Sequence, residues 1–264
     1  MTLNIKTFQK KAYQNESIAA FNAVADSYDR YAMVQHSIGQ DLLHRIQLED
    51  PHSILDIGCG TGIFSLGLSN RFPSAHIDAI DAADNMISHC KSTIQKPNLQ
   101  FFHTHFLYDP VPNNYDLIVS NATFQWLTNH HIALARCAAL LRNKGHIYLS
   151  LFGPKTFCEL GDILQHNITS APRLAAEAFP DKQTLTHLIQ LFFSTVTIHS
   201  KTIYVQYPSL YDLLKTIKYT GTRGTPQLQQ LWTPTTIQKL DHAYRQKFGT
   251  IYATYELYMI EGQR

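Results

Sequence analysis

Residues 54–62 read Ile-Leu-Asp-Ile-Gly-Cys-Gly-Thr-Gly, and this stretch decides the fold. Ile54, Leu55 and Ile57 make an apolar run of the kind a buried parallel strand carries. Gly58, Gly60 and Gly62 then give a tight turn with little side chain, where a ligand can approach the backbone closely. Residues 63–70 predict the following helix, whose first N–H groups face the same loop. Asp81 stands nineteen residues past Gly62, at the end of a second apolar run over 75–80. A nucleotide-binding βαβ unit places an acid on ribose hydroxyls at that spacing. Glycines also serve ordinary strand-to-helix turns. The conjunction of strand, Asp56, glycines, helix, second strand and terminal acid carries the reading.

A pyrophosphate fingerprint has the spacing G-x-G-x-x-G, whereas this chain has G-x-G-x-G, so no pyrophosphate need be held. Asp-x-Gly-x-Gly-x-Gly at 56–62 resembles motif I of the seven-stranded S-adenosylmethionine methyltransferases. The resemblance implies a donor with an adenosine, no phosphate, and an amino-acid end carrying ammonium and sulfonium charges. Asp56 supplies an acid suited to those charges. Gly58, Cys59, Gly60, Gly62, Asp81 and Ala82 are carried over as donor-binding positions.

At 264 residues the length suits one α/β unit with an elaboration. Hydrophobic residues make up 44% and the formal charge is +2, too balanced for the basic face that nucleic acid requires. Cys59, Cys90, Cys137 and Cys158 form no C-x-x-C pair and read as reduced cytosolic thiols. No apolar run approaches the roughly 18 residues of a membrane span. The start, MTLNIKTFQKK, has no apolar signal core, so a cytoplasmic location is expected. The histidines show no ligand spacing, so no metal is expected.

Residues 1–14 read as a mobile basic arm. A helical pattern runs from Asn15, a possible cap, with Ile18, Phe21, Val24 and Ala25 on one face, and a second helix covers 35–46. Helices ahead of the first strand are free to cover the donor site. Tyr28 reads as a lid contact or, equally, as a packing aromatic. After Asp81, Asp84 can cap a helix, with Met86 a turn on. A third strand falls at 99–102 and a fourth at 115–121, followed by Asn121-Ala122-Thr123-Phe124-Gln125-Trp126 at the sheet's carboxyl edge, where open α/β sheets bind ligands. A helix over 132–141 is read to end at Gly145 as a left-handed cap, with strand five at 146–152. Pro154 opens a helix to about 167, another covers 181–192, and 195–206 alternates like a long strand. Helices at 208–219 and 233–248 precede the last strand at 251–260, the second capped by Thr233 with Pro234 behind it. The expected fold is α/β, a doubly wound, mostly parallel seven-stranded sheet. It divides into an arm and lid (1–50), a donor-binding core (51–152) and a C-terminal part (153–264) carrying a helical cap at 208–248.

A closer resemblance covers nearly the whole chain. Ala19-Ala20-Phe21 through Tyr28-Asp29, ILDIGCGTG, SNATFQWL (120–127), FGPKTFCEL (152–160), FPDKQTL (179–185) and SLYDLLKTIKYTGTRG (209–224) occur in one order. In this the chain is similar to the malonyl-acyl-carrier-protein O-methyltransferases of biotin synthesis. The resemblance implies S-adenosylmethionine as donor, with Met86 beside the adenine and Asn121 in the donor site. This superfamily commonly has an acid where His105 stands. Here His105 and Phe106 would meet the adenine by stacking or through the backbone.

The implied reaction is methylation of the free carboxylate of a malonyl thioester on acyl carrier protein. A carboxylate with a reference pKa near 4 is already a nucleophile at neutral pH. The protein's task is alignment and exclusion of water, with no general base or metal. A cation held too close would blunt the nucleophile, so hydrogen-bonding and aromatic groups are expected at the reacting oxygen. Tyr28 and Trp126 are expected to wall the pocket from opposite sides. Lys215, Lys218 and Arg223 are expected to receive the acidic carrier, or else to form a solvated helix end. A monomer is expected. Two other readings stay open: a methyltransferase for a free small carboxylic acid, of the aconitate type, and a silent methyltransferase-like binding subunit.

Overall fold

The computed structural model describes residues 15–112, 114–169, 171, 173–220 and 232–264. Seven strands form one sheet: β1 (Ser53–Ile57), β2 (His76–Asp81), β3 (Leu99–His103), β4 (Tyr115–Asn121), β5 (Leu141–Phe152), β6 (Thr195–Gln206) and β7 (Tyr252–Gln263). Their order is β3-β2-β1-β4-β5-β7-β6. β1 to β5 run parallel, and β7 inserts antiparallel between β5 and β6. The direction of winding reverses between β1 and β4. Open α/β sheets place their crevice beyond the carboxyl ends at such a point.

Among the described residues the α-helices are α1 (15–22), α2 (Met33–Arg45), α3 (Ile63–Arg71), α4 (Asp84–Thr93), α5 (His130–Leu140), α6 (Cys158–Asn167), α7 (Lys182–Gln190), α8 (Leu210–Tyr219) and α9 (Pro234–Phe248). Alternation along the strands assigns the two faces of the sheet. Ile54, Ile77 and Leu117 pack with Leu42, Leu68 and Cys90 of α2, α3 and α4. Their neighbours Leu55, Ile80 and Ile118 pack with Leu134, Cys137, Leu185 and Ile189 of α5 and α7. A third cluster joins β7, through Tyr255 and Leu257, to α6, α8 and α9. Both inserted helices begin as sequence chemistry dictates. Ser209 caps α8, and Thr233 caps α9 with Pro234 in its first turn.

Several local expectations are corrected. Strand five begins at Leu141, directly after α5, and Gly145 is not left-handed. Tyr115 pairs with Leu141 and Leu117 with His146, so residues between them form a bulge. Lys144 takes the left-handed conformation there, and Arg142 anchors the bulge on Asp116 at 2.8 Å. Asn15 lies inside α1 rather than capping it. The cap position of α4 is Ala83, because Asp81 accepts from the Ala83 N–H at 2.8 Å; Asp84 falls in the first turn. Residues 154–157 form a turn rather than a helix. Phe157 is left-handed and its N–H donates to Thr254 on β7 at 2.8 Å, which delays α6 to Cys158. Among the described residues no helix is long and apolar enough to cross a membrane. The basic arm over 1–14 lies outside the described residues.

Candidate active site

The carboxyl ends of β1, β2 and β4 converge on a cavity of about 410 Å³, within the usual range for small-ligand sites. The glycine turn forms its floor. Gly58, Gly60 and Gly62 all have positive φ, at 72°, 56° and 82°. They differ in what surrounds them. A Cβ on Gly58 would stand 2.2 Å from Thr123 Cγ2, whereas one on Gly60 would meet nothing within 4 Å. Gly60 therefore presents bare backbone to the cavity. Gly62 packs against Ile94, Cys90 and Phe101 behind the turn; its role is close packing rather than lining the cavity.

Two carboxylates face this turn. Asp81 at the end of β2 accepts from the Gly60 N–H at 2.9 Å through Oδ2 and from Ala83 through Oδ1. A carboxylate has about four acceptor positions, so each oxygen keeps one for a ligand hydroxyl. Burial raises its pKa, against the backbone N–H groups that lower it. Asp56 is buried on β1. Its Oδ2 accepts from Ser65 Oγ at 2.6 Å, and its Oδ1 is buried with no partner. Burial pushes its pKa up to about 7, with Ser65 opposing and Asp81 adding to the rise. An orphaned carboxylate oxygen in a cavity wall calls for a donor or a cation. The amino-acid end of S-adenosylmethionine offers both, and the residues present fit it.

The far wall of the donor end is apolar. Met86 is buried beside Ala83, with Val24 and Ala25 packed on them, and Ala82, His105 and Phe106 line the same end. Leu107 N–H donates to His105 Nδ1 at 3.3 Å. Burial lowers the ring's pKa, so it is neutral and carries its proton on Nε2. His105 thus brings an N–H donor to the cavity lining. Asn121 lines the cavity, but its side chain serves the scaffold. Its Nδ2 donates to Gln35 O at 3.0 Å, and its Oδ1 accepts from Ser150 Oγ at 2.6 Å. This bridge pins α2 to the end of β4. Cys59 also lines the cavity from within the turn.

Aromatic rings also line the cavity. Tyr28 and Trp126 both line it, and Phe21 links them. The Phe21 ring lies 6.3 Å from Tyr28 and meets Trp126 edge-on at 5.7 Å. Trp126 in turn meets Phe179 at 5.1 Å. Burial raises the Tyr28 phenol far above its usual range, so its hydroxyl is a fixed donor and not a base. Among the described residues, the wall contains no lysine or arginine. Lys215 and Lys218 stand outside on α8, their ammonium groups 5.5 Å and 5.3 Å over the rings of Tyr31 and Tyr219. Arg223 lies outside the described residues.

Sequence reasoning missed the lid's own fastening. Asp29 Oδ1 accepts from Thr61 Oγ1 at 2.7 Å and lies 3.1 Å from His36 Nε2. The 3-10 turn Tyr28–Arg30 is thereby tied to the glycine turn. No periodicity signals a contact between residues 32 positions apart. Phe21 was legible as an apolar helix position, yet nothing in the sequence showed that it bridges Tyr28 and Trp126.

Comparison with known proteins bears on this geometry. Residues 54–145 match a methyltransferase domain model. The malonyl-[acyl-carrier protein] O-methyltransferase of Anoxybacillus flavithermus is 30% identical over 250 residues, covering 91% of this chain and 94% of that one. The chain belongs to the malonyl-[acyl-carrier protein] O-methyltransferase family. Solved structures agree on the fold. The YcgJ protein of Bacillus subtilis aligns with a TM-score of 0.62 at 17% identity, covering 87% of this chain and 98% of that chain. A Haemonchus contortus phosphoethanolamine N-methyltransferase 2, solved with S-adenosyl-L-methionine, aligns at 0.58 and 11% identity, covering 91% and 57%.

Proposed function

We propose that this protein transfers the methyl group of S-adenosylmethionine to the free carboxylate of malonyl-acyl carrier protein, breaking the methyl–sulfonium bond and giving the methyl ester and S-adenosylhomocysteine. Family membership supports the reaction class. The observation that carries the acceptor is the character of the cavity: acids at the donor end, and no lysine or arginine in the described wall. A free di- or tricarboxylate of the aconitate type would bring additional charges that no lysine or arginine of the described wall receives. A half-thioester brings one, and that one is the nucleophile.

S-adenosylmethionine, when bound, supplies an electrophilic methyl group on a sulfonium. The chain's residues do the rest by position. Asp56 Oδ1 would hold the ammonium end, Asp81 the ribose hydroxyls, and Met86, Phe106 and His105 the adenine. Tyr28 donates to the acceptor carboxylate without neutralising it, which orients the oxygen and keeps it nucleophilic. Phe21 and Trp126 keep water from the reacting oxygen. No proton has to move, since the carboxylate enters ionised.

The thioester arm enters past the cap over 208–248, where Lys215 and Lys218 receive the acidic carrier; Arg223 belongs to the same reading. Electrostatic steering of this kind weakens steeply with salt. Incubation with methyl-labelled donor and malonyl carrier protein tests the proposal. Label released as methanol by mild alkali marks the ester, and label that stays in the donor refutes it.

A further inference from the structure

We propose that residues 28–31 act as a clasp between the cap and the glycine turn, so that carrier and donor tighten each other's binding. The inference rests on the carrier-dependent reading above. It starts from two contacts made by neighbouring residues on opposite sides of one short turn. On the donor side, Asp29 accepts from the hydroxyl of Thr61 at 2.7 Å. Thr61 is buried within the glycine turn and lines the cavity. On the cap side, the ring of Tyr31 stacks on Tyr219 of α8, with centroids 4.6 Å apart and planes 14° from parallel.

The turn between these contacts is stiff. Tyr31 and Ala32 both donate their N–H groups to Tyr28 O at 3.0 Å, and Arg30 donates to Ser27 O at 3.2 Å. His36 adds a second bond to Asp29 from α2. A displacement at Tyr31 is therefore a displacement at Asp29. Tyr219 also packs with Val24, Ala25 and Met86, the cluster that backs the donor end. Outside the stack, Lys215 and Lys218 lie over the two rings, with Lys218 exposed and Lys215 half-buried.

These contacts give both ligands a claim on the same four residues. A donor in the cavity fixes Thr61 and, through it, Asp29. An acidic surface against Lys215 and Lys218 fixes the end of α8 and, through Tyr219, Tyr31. Whichever binds first holds the stiff turn in place between the two contacts, and the second finds it already placed, which is positive cooperativity without a new contact between the ligands. Reciprocity follows from thermodynamics: each ligand must change the other's affinity by the same factor. Nothing in this coupling needs the malonyl group.

Calorimetry on the full chain tests it with S-adenosylhomocysteine and unacylated acyl carrier protein, so that no turnover and no acyl charge intervene. In the unsubstituted protein, saturating carrier should lower the Kd for S-adenosylhomocysteine by about fivefold or more, and S-adenosylhomocysteine should lower the carrier's Kd by the same factor. Backbone amides of 28–31 should gain hydrogen-exchange protection from either ligand. Tyr31→Leu and Thr61→Val, each checked for folding by circular dichroism, should bring the factor close to one while carrier still binds. Equal S-adenosylhomocysteine affinity with and without carrier would overturn the clasp even if malonyl carrier protein is methylated, and so would a factor that survives both substitutions. Carrier that neither binds nor is methylated would overturn the clasp together with the carrier reading.

Discussion

Asp81 accepts a hydrogen bond from the backbone N–H of Gly60 at 2.9 Å, so the acid at the end of the second strand grips the turn after the first. One residue thus shapes the glycine turn and lines the cavity. Asp81→Ala should lose hydrogen bonds to the ribose, each charge-assisted one worth about 1.5–3 kcal/mol. Donor affinity should fall by about tenfold or more, measured by calorimetry. Asp81→Asn should also weaken binding, because an amide N–H would then face the Gly60 or Ala83 N–H. Unchanged donor affinity in a folded Asp81→Ala protein would remove this acid from the site.

Gly58 and Gly60 share a left-handed backbone but not its surroundings. Alanine at either position incurs about 1–2 kcal/mol of strain. At Gly58 the new Cβ also collides with Thr123. Gly58→Ala should lower the melting temperature by more than the about 2–4 °C that each kcal/mol gives a chain of this size. At Gly60 the methyl enters open space in the cavity. Gly60→Ala should melt a few degrees below the unsubstituted protein, from backbone strain alone and by less than Gly58→Ala, and still bind the donor poorly. Thermal melting beside calorimetry separates the two, and normal donor binding by Gly60→Ala would contradict the assigned floor of the site.

Asp56 makes donor binding depend on pH. Its carboxyl, pushed up to about 7 by burial, is partly protonated in the ligand-free protein at neutral pH. A cationic donor prefers the ionised form. Affinity should therefore rise as pH climbs from 6 through about 7 and level off above it, with protons released on binding. Titrations in two buffers of different ionisation enthalpy count those protons. The sign for stability is opposite. A raised carboxylate pKa means that the folded state holds the proton more tightly, so this group costs stability as pH rises from its unfolded value of 3.8 toward 7. Asp56→Asn should flatten the pH dependence of binding; an unaltered slope would assign the titration elsewhere.

Much of the core was legible because its signals are local. Ile54 to Gly62 carries a strand, a turn and a helix start within nine residues, and Asp81 follows at a fixed interval. The caps at Thr233 and Pro234 are equally local. Gly145 misled because its neighbour Lys144 takes the left-handed conformation instead, inside a bulge that depends on pairing with Tyr115 and Leu117. The Asp29–Thr61 and Phe21–Trp126 contacts were invisible for a related reason. They join segments whose meeting is decided by how α1 and the 3-10 turn fold over the sheet, and no spacing rule encodes that.

The aromatic wall should act on turnover more than on donor binding. Tyr28→Phe removes a hydroxyl donor and keeps the ring; losing a hydrogen bond to a charged carboxylate, worth about 1.5–3 kcal/mol, predicts a fall in kcat/KM for the acceptor of about tenfold or more. Phe21→Ala should lower kcat as well, because it breaks the edge contact with Trp126, for which aromatic pairs contribute about 0.5–1.5 kcal/mol. Steady-state kinetics of Tyr28→Phe, Phe21→Ala and Trp126→Ala decide the matter. Full turnover and donor binding in all three would reduce the wall to packing.

The central claim is that the cavity accepts a carboxylate presented on a carrier thioester. The most direct measurement compares kcat/KM for malonyl carrier protein, malonyl-CoA, malonate and an aconitate-type acid under one labelled donor, at low and at high salt. The account predicts that malonyl carrier protein leads, that its advantage shrinks as salt rises, and that the free acids are poor acceptors. Methylation of a free acid with a kcat/KM equal to or above that of malonyl carrier protein would contradict it.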